Sequence, residues 1–231
     1  MNRLNRLNRL NYLNVPEQRH MGCWLMTVKN EEDEVGSKTI RVFISVEIPD
    51  EIKGALQEIQ QVFRESGDRV TWVRPQGMHI TLKFLGDIEE GSIPGIGARM
   101  QKAVDGIEPF VIHLVGTGVF PGTKKPRVLW AGIREGAEDL KKIQEDLDPL
   151  LSEIGFPMEA RPFSPHITMG RIKEIRDPKR FKAWIERHRE AEIGSMRAAS
   201  IHLFQSQLRP DGAFYTEKFA APLGGAKVLE I

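Results

Sequence analysis

The sequence predicts an α+β fold with mostly antiparallel sheet, and three observations carry that prediction. Strand-like runs repeatedly follow one another without a helix between them, which a doubly wound parallel sheet does not allow. The helical stretches are few and amphipathic, and turn residues separate them from the strands. The composition is that of a globular chain: 231 residues, 40% hydrophobic and 28% charged.

Taken in order, residues 41–48 are β-branched and apolar and are stopped by Pro49, which reads as a strand. Asp50 can cap a helix that carries Ile52, Leu56, Ile59 and Phe63 at helical spacing. Residues 70–73 and 79–85 are strand-like, the second ended by Gly86. A helix over 93–104 follows, weakened by Gly95 and Gly97. Residues 110–119 and 127–133 are β-rich, joined by turn chemistry at 121–126. The clearest helix spans 137–154, with Leu140, Ile143, Leu147, Leu150, Leu151 and Ile154 on one side and Gly155 at its end. A strand over 166–172, a helix over 177–189 begun by Asp177-Pro178, and a hairpin pair at 199–207 and 213–220 complete the chain.

Residues 1–14 repeat Asn, Arg and Leu every three positions. On a helix, three residues advance about 300°, so those leucines drift around the axis instead of forming a stripe. The apolar patch 22–28 lies behind several arginines and superficially resembles a secretory signal, but it is short and far from the start. An acidic run, Glu31 to Glu34, then reads as a solvated linker. Residues 1–37 are therefore expected to be a tail outside the fold, and 38–231 the folded domain.

Lys and Arg total 33 against 32 Asp and Glu, a formal net charge of +1, which argues against coating nucleic acid by bulk charge. The single cysteine, Cys23, excludes an intrachain disulfide framework and a cysteine cluster for structural zinc. No apolar run approaches the roughly 18 residues of a membrane span. A soluble, cytoplasmic protein with no membrane contact is expected.

The chemistry is carried by a repeated tetrad. His79-Ile80-Thr81-Leu82 recurs as His166-Ile167-Thr168-Met169, where chance placement of six histidines and eight threonines gives about 0.2 His-x-Thr. On a strand, positions i and i+2 project from one face, so each tetrad presents an imidazole and a hydroxyl together. Two such pairs on one cleft suit a phosphodiester. One neutral histidine takes a proton from the attacking hydroxyl or water, and the other protonates the departing oxygen. The threonines donate hydrogen bonds to the non-bridging oxygens. Neither metal nor cofactor is required, and the tetrads lack the flanking carboxylate or second histidine of common metal motifs. The spacing alone does not say which histidine is acid and which base.

These residues resemble the two HxTx motifs of the 2H phosphoesterase superfamily, and in particular the RNA 2′,3′-cyclic phosphodiesterases historically called 2′-5′ RNA ligases. The likeness extends to Arg41-Val42-Phe43-Ile44-Ser45, Trp72-Val73, Lys83-Phe84-Leu85-Gly86, Pro126-Arg127-Val128-Leu129-Trp130, Gly170-Arg171, and Phe204 to Leu208 with Gly212 and Tyr215, covering about residues 39–220. It implies two pseudo-symmetric α+β lobes, one tetrad in each, with helices on the outer faces and a central cleft. It also implies that His79 is the proton donor and His166 the proton acceptor, with Thr81 and Thr168 on the phosphate. The reaction it implies opens an RNA terminal 2′,3′-cyclic phosphate to a 2′-phosphomonoester.

Other readings stay open at this stage. Ligation reuses the same groups with an RNA 5′-hydroxyl in place of water, and a non-catalytic RNA end-binding module would have no need of two proton-transfer groups. Arg127, Arg171 and Lys83, in or beside the motif segments, are candidates for phosphate contacts. The excess of nine Lys or Arg over four Asp or Glu across 161–190 is split between solvated helix surface and steering of an RNA backbone. Phe43 and Tyr215 either stack on a terminal base or pack the wall of the cleft. Trp72 and Trp130 are expected in the core, and His113 and His202 as part-buried, hydrogen-bonded histidines. The partner expected is RNA with a 2′,3′-cyclic phosphate end, and the chain is expected to act as a monomer.

Overall fold

A computed structural model describes residues 38–209 and 212–224, so the expectation for residues 1–37 lies outside the described residues. The described elements run β1 (Thr39–Glu47), α1 (Asp50–Arg64), β2 (Arg69–Trp72), β3 (His79–Glu89), α2 (Ile93–Ala103), β4 (Phe110–Phe120) and β5 (Val128–Glu135). They continue with α3 (Ala137–Ser152), β6 (His166–Glu174), α4 (Pro178–Arg187), β7 (Glu192–Ala198), β8 (Ser200–Arg209) and β9 (Gly212–Pro222). Every ladder is antiparallel. The α+β expectation holds.

The sheet order is β7-β4-β5-β6-β3-β1-β8-β9, with β2 paired to β6. Read outwards from the centre, the two sides correspond: β3 with β6, β1 with β5, β8 with β4, and β9 with β7. Each side contains the same succession of strand, helix, tetrad strand and helix. These are the two pseudo-symmetric lobes.

The lobes meet at a single ladder pair, Ile80 opposite Ile167. Both tetrad strands begin at their histidine, and they run in opposite directions from that junction. Beyond it β2 occupies the edge of β6, with Trp72 opposite Gly170. The central strands therefore touch only where the tetrads lie and diverge on either side.

Apolar stripes place the core on the helix side of the sheet. Ile52, Leu56 and Phe63 of α1 are buried, and Phe63 meets α4 edge-on through Phe181 (5.3 Å) and Trp184 (4.4 Å). Asp177 caps α4 by accepting from the backbone N–H groups of Lys179 and Arg180, as the Asp177-Pro178 pair predicts. α2 packs on α3 and β9. The packing crosses between halves: α1, which follows β1, lies beside β7, while α3, which follows β5, reaches β3.

One strand lies outside what the sequence predicts. β7, Glu-Ile-Gly-Ser-Met-Arg-Ala, has weak β propensity and a glycine within it, and it forms because the β4 edge supplies a ladder from Phe110 to Val115.

Candidate active site

The tetrads sit on the face opposite the core. Ile80, Leu82, Ile167 and Met169 are buried among core residues, while His79, Thr81, His166 and Thr168 are part-exposed. One step either side of the Ile80–Ile167 pair sets His79 across from Thr168 and Thr81 across from His166. Directly opposed residues have Cβ atoms about 5 Å apart. Two imidazoles and two hydroxyls therefore occupy alternate corners of one small patch at the lobe junction.

Both imidazoles are held by the backbone two residues upstream. His166 Nδ1 lies 2.7 Å from the Ser164 carbonyl oxygen. A carbonyl only accepts, so Nδ1–H is the donor and Nε2 of the neutral ring keeps its lone pair. His79 makes the corresponding hydrogen bond with the backbone of Gly77. Aromatic rings support each histidine. Phe43 stacks on His79 at 4.6 Å and Tyr215 meets it edge-on at 5.5 Å, while Phe120 meets His166 edge-on at 5.0 Å.

Burial disfavours the charged form of both rings. It pushes His79 down to about 4, against the pull of its Gly77 hydrogen bond, and it lowers His166 below its usual value as well. An unfolded histidine titrates near 6.5, so between about pH 6.5 and 4 the unfolded chain binds a proton at position 79 that the folded chain refuses. Stability is expected to fall as pH drops through that window, by on the order of 3 kcal/mol from this group. Urea unfolding at pH 7 and pH 4 should show a smaller loss in His79→Gln than in the parent. Equal losses would mean that the ring is not desolvated.

A β-bulge follows each histidine-threonine pair. On β3, Thr81 faces Ser45 and Lys83 faces Ile44, which leaves Leu82 as the extra residue. On β6, Thr168 faces Trp130 and Gly170 faces Leu129, which leaves Met169 extra. A bulge reverses the alternation beyond it. Lys83 therefore points into the core, and Phe84 and Arg171 are exposed.

That reversal corrects the expectation for Lys83. Its side chain is buried, pairs with Asp148 of α3 and donates to the Pro157 carbonyl at 2.8 Å. The other Asp148 oxygen accepts from the Glu159 N–H at 2.8 Å, so this pair anchors the loop that leads to His166. Lys83 is not available to a phosphate.

Phe43 takes the packing alternative: it is 3% exposed, enclosed by His79, Tyr215, Phe84 and Phe204. Tyr215 is edge-on to Phe43 and His79, and its phenol is raised by burial while the Arg171 charge opposes the rise. Arg171 is exposed on β6, opposite Thr71 of β2 and Val128 of β5. Arg127 is exposed just before β5, where its carbonyl accepts from the Ile172 N–H.

Trp130, expected in the core, shares the Thr168 face and lies across Gly118, where a Cβ would come within 2.2 Å of the indole. His202 is part-buried and hydrogen-bonded to Ser200 and Glu217, and His113 pairs with Glu192. Sequence reasoning missed Gln60. Its carboxamide donates to the carbonyls of Val73 and the bulged Met169, both at 2.8 Å, and so ties α1 to the second tetrad. A glutamine inside the apolar stripe of α1 was the available signal.

The fold and this face define a two-lobed phosphoesterase. The family model of LigT-like phosphoesterases matches residues 46–130 and 132–215, one tetrad in each segment, and the chain belongs to that family of enzymes. Among its relatives is the RNA 2′,3′-cyclic phosphodiesterase of Methanothermobacter thermautotrophicus, 34% identical over 178 residues, spanning 77% of this chain and 96% of the relative. The RNA 2′,3′-cyclic phosphodiesterase of Aquifex aeolicus is 37% identical over 155 residues, 67% of this chain and 82% of the relative. The crystal structure of a Thermus thermophilus protein, TT0787, superposes with a TM-score of 0.68 at 30% identity, covering 81% of this chain and 100% of that one. E. coli LigT in apo form shares the fold, with a TM-score of 0.64 at 21% identity over 81% of this chain and 99% of its own. Among the described residues no helix is long and apolar enough to cross a membrane.

Proposed function

We propose that the chain hydrolyses RNA terminal 2′,3′-cyclic phosphates to 2′-phosphomonoesters by two-histidine acid–base catalysis without a metal. The carrying observation is the single junction pair, Ile80 with Ile167, which sets both imidazoles and both threonines on one face. Relatives bearing the RNA 2′,3′-cyclic phosphodiesterase name support the substrate.

In this reading the phosphate lies over the tetrad patch, with Thr81 and Thr168 donating to its non-bridging oxygens. His166 Nε2 takes a proton from water, the water oxygen attacks phosphorus, and the bond from phosphorus to O3′ breaks. O3′ leaves with the proton of His79, and the phosphate stays on O2′. The stronger depression of His79 makes its imidazolium the stronger acid, while His166 keeps more basicity. The anion of the bound diester supplies the nearby negative charge that favours a protonated His79. Arg171 and Arg127 contact the phosphates of the chain. One chain supplies both tetrads, so the reading calls for a monomer; a cytoplasmic location belongs to it too.

The test is incubation with EDTA and an oligoribonucleotide ending in a 2′,3′-cyclic phosphate. A 2′-phosphate end is expected. A 3′-phosphate end, activity only with added metal, or no turnover would each overturn the proposal. Joining of RNA halves under the same conditions would favour ligation instead.

A further inference from the structure

The geometry points to Gln60 as a positioning residue for Thr168, through its hold on the bulge that follows that threonine, an inference that rests on the cyclic-phosphate reading above. A buried polar side chain is costly unless its hydrogen bonds are made. Gln60 is 3% exposed and sits between Leu56 and Phe63 in the apolar stripe of α1. What it bonds is the backbone beside the second tetrad.

Thr168 lies where β6 changes neighbours. On one edge β2 pairs with β6 as far as Trp72 and Gly170, and the Val73 N–H extends that contact to the Met169 carbonyl at 2.9 Å. Farther along the same edge β3 takes over at Ile167, opposite Ile80. Thr168 falls between the two. On the other edge Thr168 faces Trp130 of β5, but Met169 is the extra residue of the bulge and has no partner there. The step from Thr168 to Gly170 is therefore held at the Met169 carbonyl.

Gln60 grips that carbonyl. Its carboxamide nitrogen donates to the Met169 and Val73 carbonyls, both at 2.8 Å, which uses both of its N–H groups. Together with the Val73 N–H, this gives the Met169 oxygen two donors, one for each lone pair. A helix side chain thus joins the end of β2 to the bulge at the step where the sheet changes partners. A bulge bends its strand and raises the local twist, and the twist sets where the Thr168 hydroxyl stands relative to the phosphate.

The first lobe carries the counterpart. There the residue after the Leu82 bulge, Lys83, is fixed by Asp148 of α3. α1 follows β1 yet holds β6, and α3 follows β5 yet holds β3. Each bulge beyond a tetrad is tied to a buried polar side chain from the opposite half of the chain. Recurrence at matching places ties the hold to the tetrads rather than to the core at large.

The test is a double-mutant cycle on the single-turnover rate for an oligoribonucleotide ending in a 2′,3′-cyclic phosphate. Gln60→Met is expected to lower that rate on the order of 10-fold, because a displaced threonine loses part of its hydrogen bond to the developing charge. In a Thr168→Ala background Gln60→Met should cost nothing further, while in a Thr81→Ala background it should keep its full effect. An equal cost in every background would mean a general loosening, and no cost in the parent would mean that Thr168 is placed without Gln60. Either result overturns the assignment. Gln60→Asn, which keeps the amide but withdraws it by one methylene, gives the same comparison if Gln60→Met does not fold.

A second readout works without turnover: NMR of the threonine methyl groups. In Gln60→Met the Thr168 methyl resonance should shift while that of Thr81 stays; both shifting alike, or neither, also overturns the assignment. If the parent hydrolyses no cyclic phosphate, the cyclic-phosphate reading fails on its own account, and the methyl comparison still decides what Gln60 holds.

Discussion

Alanine at His79 or His166 is expected to lower kcat/KM for a 2′,3′-cyclic phosphate end by about 10²–10⁴ each, because each removes one proton transfer from the same transition state. The double variant should fall well short of the product of the two losses, since neither histidine completes the reaction alone. The pH profile gives a sharper test. Both free imidazoles lie below their usual value, so both limbs of kcat/KM should fall below about pH 6.5. The profile of kcat reports the complex, where the bound anion favours imidazolium, so its limbs should move to higher pH. A kcat/KM profile flat from about pH 4 to 8 would refute the acid–base pair, as would retained turnover in both single variants.

Asp148→Ala is expected to be the most destabilising single change outside the site, at about 3–5 kcal/mol, because it leaves the Lys83 ammonium buried without its carboxylate. Denaturant unfolding should show the loss, and the double change Lys83→Met with Asp148→Leu should recover much of it by replacing two buried charges with apolar volume. The loop at Pro157 and Glu159 is tied to the same pair. The double variant should therefore fold yet hold His166 less firmly, with kcat reduced. Full activity in that variant would mean that the loop is fixed by other contacts.

The tetrad residues are legible because strand alternation is local: His79 with Thr81, and His166 with Thr168, share a face wherever the strand sits. Lys83 is misplaced by the same rule. Two further steps along β3 keep it beside Thr81, but a bulge inserts one residue and sends it inward, and a bulge is set by the partner strand, which local pattern does not contain. The exposure of Phe84 is hidden from the sequence for the same reason. Arg171 stands out by its closeness in sequence, and the bulge is what turns it out. The weak propensity of β7 hides a strand that only the β4 edge stabilises. Capping at Asp177 and the apolar stripe of α3 are readable because both are short-range.

The exchange of helices between halves has a consequence for how the chain reaches its native state. Because α1 lies beside β7 and α3 reaches β3, each segment of the family match packs a helix against a strand of the other. A cut between Gly106 and Glu108 would give two fragments, each with an apolar surface whose cover resides in the other. Such fragments are expected to gain order on mixing, and only then to bring the two histidine-threonine pairs onto one face.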